Sequence, residues 1–573
     1  MNLRKIVLSA FIFSFAFNIF AQVSVDPEDS FYEDVTGWYL KGYIDYVPQL
    51  KPYPLNVIKN ILQKVITCEE INESSKAQYY SRRYFGKNWK LSLYAKGDIK
   101  SKLVEKGGDD TVSKYQYNGI FTGGFLAAGD VQLAEKCGFG FDTNLLVNNN
   151  DVDSSSVMPR YINNSDKNKV KAFYITTNKA DFIADLNGSV TYGTENSYGS
   201  LGFNKIGFGL YPNDSTVFNP TSYQSLNGSY NYSGKRFHFT QSLLALGAQN
   251  LTDSSKYALG KFLSFHSLKY TFFENRLSFS FYESIVYDYA HSPIYLIPFS
   301  YVAMGNLFKT GDNIFLGLGT EVRPLPCIAL TFDTYFDDII PSNLFTLKLN
   351  ESASRIAMKG GVVYSPKDSI CSLITCDYSL VTPYTYTFYT SRDTEYDFHD
   401  YTNFGINLGS NLPPNSDRVA MKIIFKPYPG FKVSTNTALI RHGNAYESLS
   451  DEEVLALYGN KDDIPLSDGS VDMSTKNQPS AKNFTNFLKQ DSIMYVVQGG
   501  ISASYEFLLT SSTYFWIGFD YTFEYINKDG VDTNIFNQAY STVEEVQNAR
   551  TAWHEALHDS YNHYFTISAK ITF

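Results

Sequence analysis

The residues best suited by type and spacing to do chemistry are His554, Glu555 and His558, which spell H-E-x-x-H. On a helix this spacing turns two imidazoles to one face as Zn²⁺ ligands and offers the glutamate as a general base. A helix is expected here, because Ser541 and Glu544 resemble a capping box and Val543–Leu557 holds neither Gly nor Pro. A catalytic zinc also needs a third protein ligand. Only fifteen residues follow His558, none of them Glu, and His563 is the one local candidate. The motif therefore reads as a solvated loop helix, with incidental metal binding by His554 and His558 as the alternative. Among paired carboxylates, Asp109-Asp110 and Asp462-Asp463 fall in polar loops, whereas Asp337-Asp338 ends an alternating run. There is no G-x-S-x-G element and no Walker-type loop, so neither catalysis nor a cofactor is expected.

Five cysteines, Cys68, Cys137, Cys327, Cys371 and Cys376, stand at no metal-ligand spacing. Cys371 and Cys376 would face opposite sides of one strand and cannot bridge. Arg4 and Lys5 followed by the apolar run Ile6–Phe20 and Ala21 read as a secretory signal peptide over residues 1–21. The chain is acidic: 48 Lys and Arg against 58 Asp and Glu give a net charge of −10 over 573 residues. That balance argues against nucleic acid as a partner. Aromatic residues reach 16%, while charged residues are only 18%. Such a chain favours strands and membrane–water interfaces over soluble helices.

These residues must be positioned by strands. Tyr561, Phe565, Ile567, Ala569, Ile571 and Phe573 share one face of the last segment; Asn562, Thr566, Ser568, Lys570 and Thr572 share the other. Phe515, Ile517, Phe519, Tyr521, Phe523 and Tyr525 repeat the pattern against Gly518, Asp520, Thr522 and Glu524. Ile328, Leu330, Phe332 and Phe336 alternate with Ala329, Thr331, Asp333 and Tyr335. Ile314, Leu316, Leu318 and Val322 alternate with Asn313, Gly317, Gly319 and Glu321. Strands apolar outward and polar or small inward predict an all-β fold, a closed transmembrane antiparallel barrel in the bacterial outer membrane. About 18 strands, between 16 and 20, fit between Trp89 and Phe573. The closing strand ending on Phe573 resembles the C-terminal signal of outer-membrane barrels, which implies the barrel-assembly machinery and outer-membrane lipid as partners.

Ser365–Asp368 and Pro427–Gly430 read as short turns. Asn148–Lys169, Thr390–Tyr401, His442–Ser492 and Lys528–Ser560 read as long extracellular loops, the third with a helix after Ser450-Asp451-Glu452-Glu453. Residues 22–86 differ from the barrel at 87–573. Phe31, Val35 and Trp38 have helical spacing. Pro54 opens a second helix over Leu55, Val57, Ile58, Ile61, Leu62 and Val65, and Ser74–Phe85 forms a third. This region is expected in the periplasm, as a cap or plug under the barrel mouth. Glu283 shares the outward phase of Leu277, Phe279 and Phe281, so it is expected either at the membrane rim or turned inward by a bulge.

The runs His266–Lys269, Leu277–Tyr287 around Glu283, Tyr295–Pro298, Gly311–Leu318 and Phe336–Asp338 resemble the capsule-assembly Wzi family. Trp38, Gly42–Ile44 and Pro52–Leu55 look like its helical start, and Phe208–Asn213 like one of its turns. The resemblance spans roughly Phe31 to Ile340; the loops after Arg441 and Lys528 match nothing in it. It implies a non-enzymatic, lectin-like barrel that binds or anchors surface polysaccharide. Asp312, Asn313, Asp337 and Asp338, with His266 and Glu283, form the candidate ligand-binding group, or else a lumenal hydrogen-bond network. Tyr378–Tyr389, Asn148–Asn150 and Tyr161 supply the aromatic and amide types that sugars use. The alternative is a diffusion porin or uptake channel, cation-favouring by charge, which a lumenal plug would oppose.

Overall fold

The computed structural model describes residues 26–104, 115–134, 136–152, 154–161, 173–211, 214–250, 256–289, 294–297, 300–308, 311–338, 355–388, 395–458, 487–510, 512–532 and 540–573. The expected signal peptide and parts of the four long loops lie outside these residues.

Eighteen antiparallel strands close into one barrel. In chain order β1 to β6 are Trp89–Val104, Tyr115–Ala134, Cys137–Asn149, Ala180–Gly193, Ser197–Asn204 and Ser225–Ser233. Next, β7 to β12 are Phe237–Gln249, Tyr257–Phe272, Leu277–Asp288, Asn313–Val322, Ile328–Asp338 and Arg355–Tyr364. Last, β13 to β18 are Cys371–Val381, Ser416–Phe425, Phe431–Gly443, Ile493–Leu508, Tyr514–Asp529 and His558–Thr572. Each strand pairs with its chain neighbours, and β18 closes on β1 in register from Ser92↔Thr572 to Val104↔Ser560. The strand number agrees with that expected from the alternation.

The alternation decides which face meets what. On β17, Ile517 and Phe519 point out and are exposed, whereas Gly518 and Glu524 between and beyond them are buried. On β11, Leu330 and Phe332 are exposed, while Ala329 and Tyr335 are fully buried inside. An outward belt of Leu, Ile, Phe and Tyr on a sheet with no free edge is what a bilayer requires, since an unpaired backbone group in hydrocarbon costs several kcal/mol. The barrel is therefore built to sit in a membrane.

Three helices precede it: α1 Phe31–Lys41, α2 Leu55–Ile66 and α3 Ile71–Phe85. Pro54 is the residue before α2 rather than inside its first turn, and α3 begins three residues earlier than Ser74. α1 is buried on every side, which a helix tolerates only when its polar groups are paired. Glu33 meets Lys422, Lys426 and Lys432 at 3.2, 3.3 and 2.8 Å. Asp34 meets Lys426 at 2.7 Å, and Glu73 takes both Lys41 and the Trp38 Nε1–H. Gly42, at φ 83°, ends α1 in the left-handed conformation, and the Tyr43 amide bonds back to the Trp38 carbonyl. Phe31, Trp38, Ile58, Leu62 and Tyr80 pack with Ala329, Val363, Leu373 and Ile424 of the barrel's inner wall. The helices thus fill the short-turn mouth, where the Cys327 amide donates to the Leu40 carbonyl and the Asp368 amide to Glu70.

Candidate functional site

The candidate residues fall on two different surfaces. Asn313 opens β10 facing inward, and its side-chain amide donates to the His399 carbonyl at 3.1 Å. Asp337, near the end of β11, accepts the Tyr386 amide at 2.6 Å. Arg355 at the start of β12 donates to the Thr387 carbonyl at 2.7 Å. All three grip the connection between β13 and β14, which folds into the lumen instead of standing out in solvent. Asp312, just before β10, accepts from Tyr295 at 2.9 Å and lies 3.5 Å from the His399 imidazole. Asp338 ends β11 across a bulge; its side chain lies outside what the structure describes.

The segment so held is buried. Tyr386 and Tyr401 stack on each other and lie against Phe315 and Tyr335 of the wall, with Leu408, Leu412, Val217 and Phe218 in the same cluster. Asp397 in it is paired as well. Burial pushes the Asp397 carboxyl up, but the Lys261 ammonium at 3.1 Å and the His399 and Asp400 amides hold it below its ordinary value. Asp214, in the connection between β5 and β6 that also carries Val217 and Phe218, is likewise burdened by burial yet drawn down to about 2 by Lys359 and Arg418. Of the aromatic residues expected to offer faces to sugars, Tyr378 is 41% exposed, on the outward face of β13, and three others are not on display. Tyr384, Tyr386 and Tyr161 are 1%, 2% and 7% exposed, because they build the interior.

Of this filling the sequence reading placed only Thr390–Tyr401, as an extracellular loop, although Val217, Phe218, Tyr401, Leu408 and Leu412 are more apolar than a solvated loop needs. That excess was the available signal. A third inserted segment, Ser154–Tyr161, is pinned by Arg160 to Asp529 at 2.5 Å and Asp532 at 2.6 Å. Beneath it a cavity of about 480 Å³ remains along β14–β18 and β1, lined by Lys96, Asp98, Asn436, Asp520, Thr522 and Tyr564. A larger one of about 960 Å³ opens beside α3 at the short-turn end.

His266 and Glu283 lie on the other surface. They are cross-strand partners on β8 and β9, 3.3 Å apart, and both point outward. The inward turn expected for Glu283 does not occur: the register of β9 with β8 and β10 is continuous around it, so no bulge turns it inward. It is 1% exposed, beneath a helix, α4 Tyr301–Phe308, that lies on the outside of the wall.

The long-loop end carries two further helices, α5 Asp451–Tyr458 and α6 Val543–Ala556. The capping box at α5 forms as expected: Ser450 and Glu453 exchange side-chain and backbone bonds at 2.8 and 3.2 Å. At α6 the box sits one residue later, on Thr542 and Glu545, with Ser541 donating its amide to Glu545. α6 ends at Ala556, so His558 belongs to β18 and leaves the face that carries His554. His554 instead pairs with Glu447 at 3.3 Å and Ser492 at 3.1 Å. The helical H-E-x-x-H geometry is thus not formed. Among the described residues no cluster of three His, Cys, Asp or Glu is placed to hold a metal ion.

No protein-family model matches the chain, and no curated protein matches it. Among solved structures it is similar to Wzi of Escherichia coli, an outer membrane protein involved in group 1 capsule assembly and a carbohydrate-binding β-barrel. The identity is 12% over 96% of this chain and 99% of that one, with a TM-score of 0.49. It is also similar to the outer membrane protein OprD of Pseudomonas aeruginosa, at 9% identity over 85% and 94%, TM-score 0.39. OpdQ of the same organism gives 9% over 85% and 98%, TM-score 0.37.

Proposed function

We propose that this chain is a non-enzymatic outer-membrane barrel that binds or anchors surface polysaccharide with its long-loop end and does not serve as an open diffusion pore. The observation that carries this reading is the filled lumen. Three helices occupy one mouth, and the aromatic core around Tyr335, Tyr386 and Tyr401 occupies the middle. A general porin keeps a water-filled lumen, and a buried aromatic layer removes it. What remains for function is the outer surface. There α5 and α6 pack through Leu449, Val454, Tyr540 and Val546, and Arg550 donates to the Leu449 carbonyl at 2.8 Å. An ordered cap of this kind presents polar groups in fixed positions, which lowers the cost of binding a flexible polymer. Asn313 and Asp337, with Asp312, serve that surface indirectly, by fixing the inserted segment on which the cap rests.

The test is co-sedimentation of the full chain in phosphatidylcholine vesicles with polysaccharide from the source bacterium's surface. Retention above protein-free vesicles, reduced by Asp337→Ala, is expected. Equal sedimentation with and without protein would remove the reading.

A further inference from the structure

A bilayer-facing strand carries a lipid-facing side chain at every second residue, yet β9 carries Glu283 in that phase. β9 rises from the short turn before Leu277. At about 3.4 Å per residue and about 40° of tilt, Glu283 stands on the order of 16 Å above Leu277, inside an apolar band about 25 Å tall. Exposed Phe272 and Phe273 mark the lower end of that band, and exposed Tyr289 its upper end. A bare carboxylate at this depth would cost a few kcal/mol.

It is not bare, because α4 covers it. A helix start leaves four backbone N–H groups without partners. Here side chains meet three of the four. Glu283 accepts from the Tyr301 amide at 2.9 Å and the Val302 amide at 2.8 Å. The Ser300 hydroxyl accepts from Ala303 at 3.3 Å, and its carbonyl from Met304 at 3.0 Å. His266 supports the same carboxylate from β8, with its ring 4.7 Å from that of Tyr301. In water such pairing is optional; in hydrocarbon it is obligatory. Tyr287, Tyr295 and Tyr301 are fully buried between helix and wall, with Ile285 beside them. The opposite face of the helix is apolar and open: Leu307 is 75% exposed and Phe308 56%. It continues the exposed belt of Phe279, Phe281 and Leu318 on the wall beneath.

We infer that α4 is an intramembrane helix, laid against the outside of the barrel in the outer half of the bilayer, with its free face on lipid acyl chains. Glu283 is the residue that lets its N-terminus lie at that depth. This goes beyond the polysaccharide reading and does not depend on it. Continuity with the strand belt assigns the occupant as lipid hydrocarbon.

The test places an environment-sensitive nitrobenzoxadiazole label on Leu307→Cys, in a full-length chain whose five native cysteines are replaced by Ser or Ala. The protein is reconstituted in dioleoylphosphatidylcholine vesicles, and heat-modifiable gel migration confirms a closed barrel. Blue-shifted emission, quenched severalfold by brominated acyl chains and little by aqueous iodide, is expected. Water-like emission quenched by iodide would overturn the inference. So would blue emission insensitive to brominated lipid, which would mean that a second copy covers the face. Glu283→Ala should move the label toward water-like emission, whereas Glu283→Gln keeps an acceptor oxygen and should not. An unchanged label in Glu283→Ala would remove the role given to Glu283.

Discussion

Asp337 and Lys51 show how single side chains set the balance of this barrel. Asp337 accepts one buried amide, that of Tyr386. Asp337→Ala leaves that donor without an acceptor, at a cost of about 1–3 kcal/mol. Hydrogen exchange at Tyr386 should then speed up by one to two orders of magnitude while β1–β18 keep their protection; unchanged exchange would show that the contact holds nothing. Lys51 makes the opposite kind of contribution. Its ammonium is buried between the Tyr32 ring and the Tyr211 carbonyl, with no carboxylate beside it among the described residues, and burial pulls its pKa down to about 7. The unfolded chain keeps the ordinary lysine value near 10.5 and so binds more protons between the two. Stability attributable to this residue therefore rises with pH from about 7 to about 10.5. Below pH 7 the burial penalty is present in full, on the order of 5 kcal/mol for a shift of this size. Lys51→Met should be more stable than the parent at pH 7, with the difference shrinking toward pH 10. Parallel stability curves for the two proteins would contradict this.

At the scale of elements, α1 is held by charge as much as by packing. Burial alone would raise the Glu33 carboxyl, but Lys432, Lys422 and Lys426 around it pull it well below its ordinary value. Removing one partner from such a buried set costs about 3–5 kcal/mol because the remaining charges are left uncompensated. Glu33→Ala should therefore release the three helices before the barrel opens, seen as early proteolysis between Asp26 and Gly86 with the barrel core intact. Simultaneous loss of both would show that helices and barrel form one cooperative unit. These helices were legible in the sequence, since Leu55, Ile58, Leu62 and Val65 keep a 3.6-residue period wherever the chain goes. The same holds for the strands, whose period of two follows from one apolar and one polar surroundings. α4 was not legible. Its eight residues are too few for a periodic signal, and Glu283, the residue that betrays it, looked like an anomaly of the strand.

At the scale of the whole molecule, the alternation of inward and outward residues defines a barrel but does not say what fills it. An inward Tyr335 or Phe315 is compatible with a wet lumen or a dry one, and only partners far away in sequence decide. Tyr386 and Tyr401 are such partners, as are Val217 and Phe218. The same non-locality hid the fate of the candidate residues. Asn313 and Asp337 were readable as inward polar groups, but the backbone atoms they hold belong to a segment about 50 to 90 residues further on. The proposed function depends on that filling, and single-channel conductance of the intact chain in a planar bilayer at 1 M KCl tests it. No sustained openings are expected, with conductance appearing when Tyr386 and Tyr401 are both replaced by Ala. Large, steady openings of the unaltered protein would contradict it.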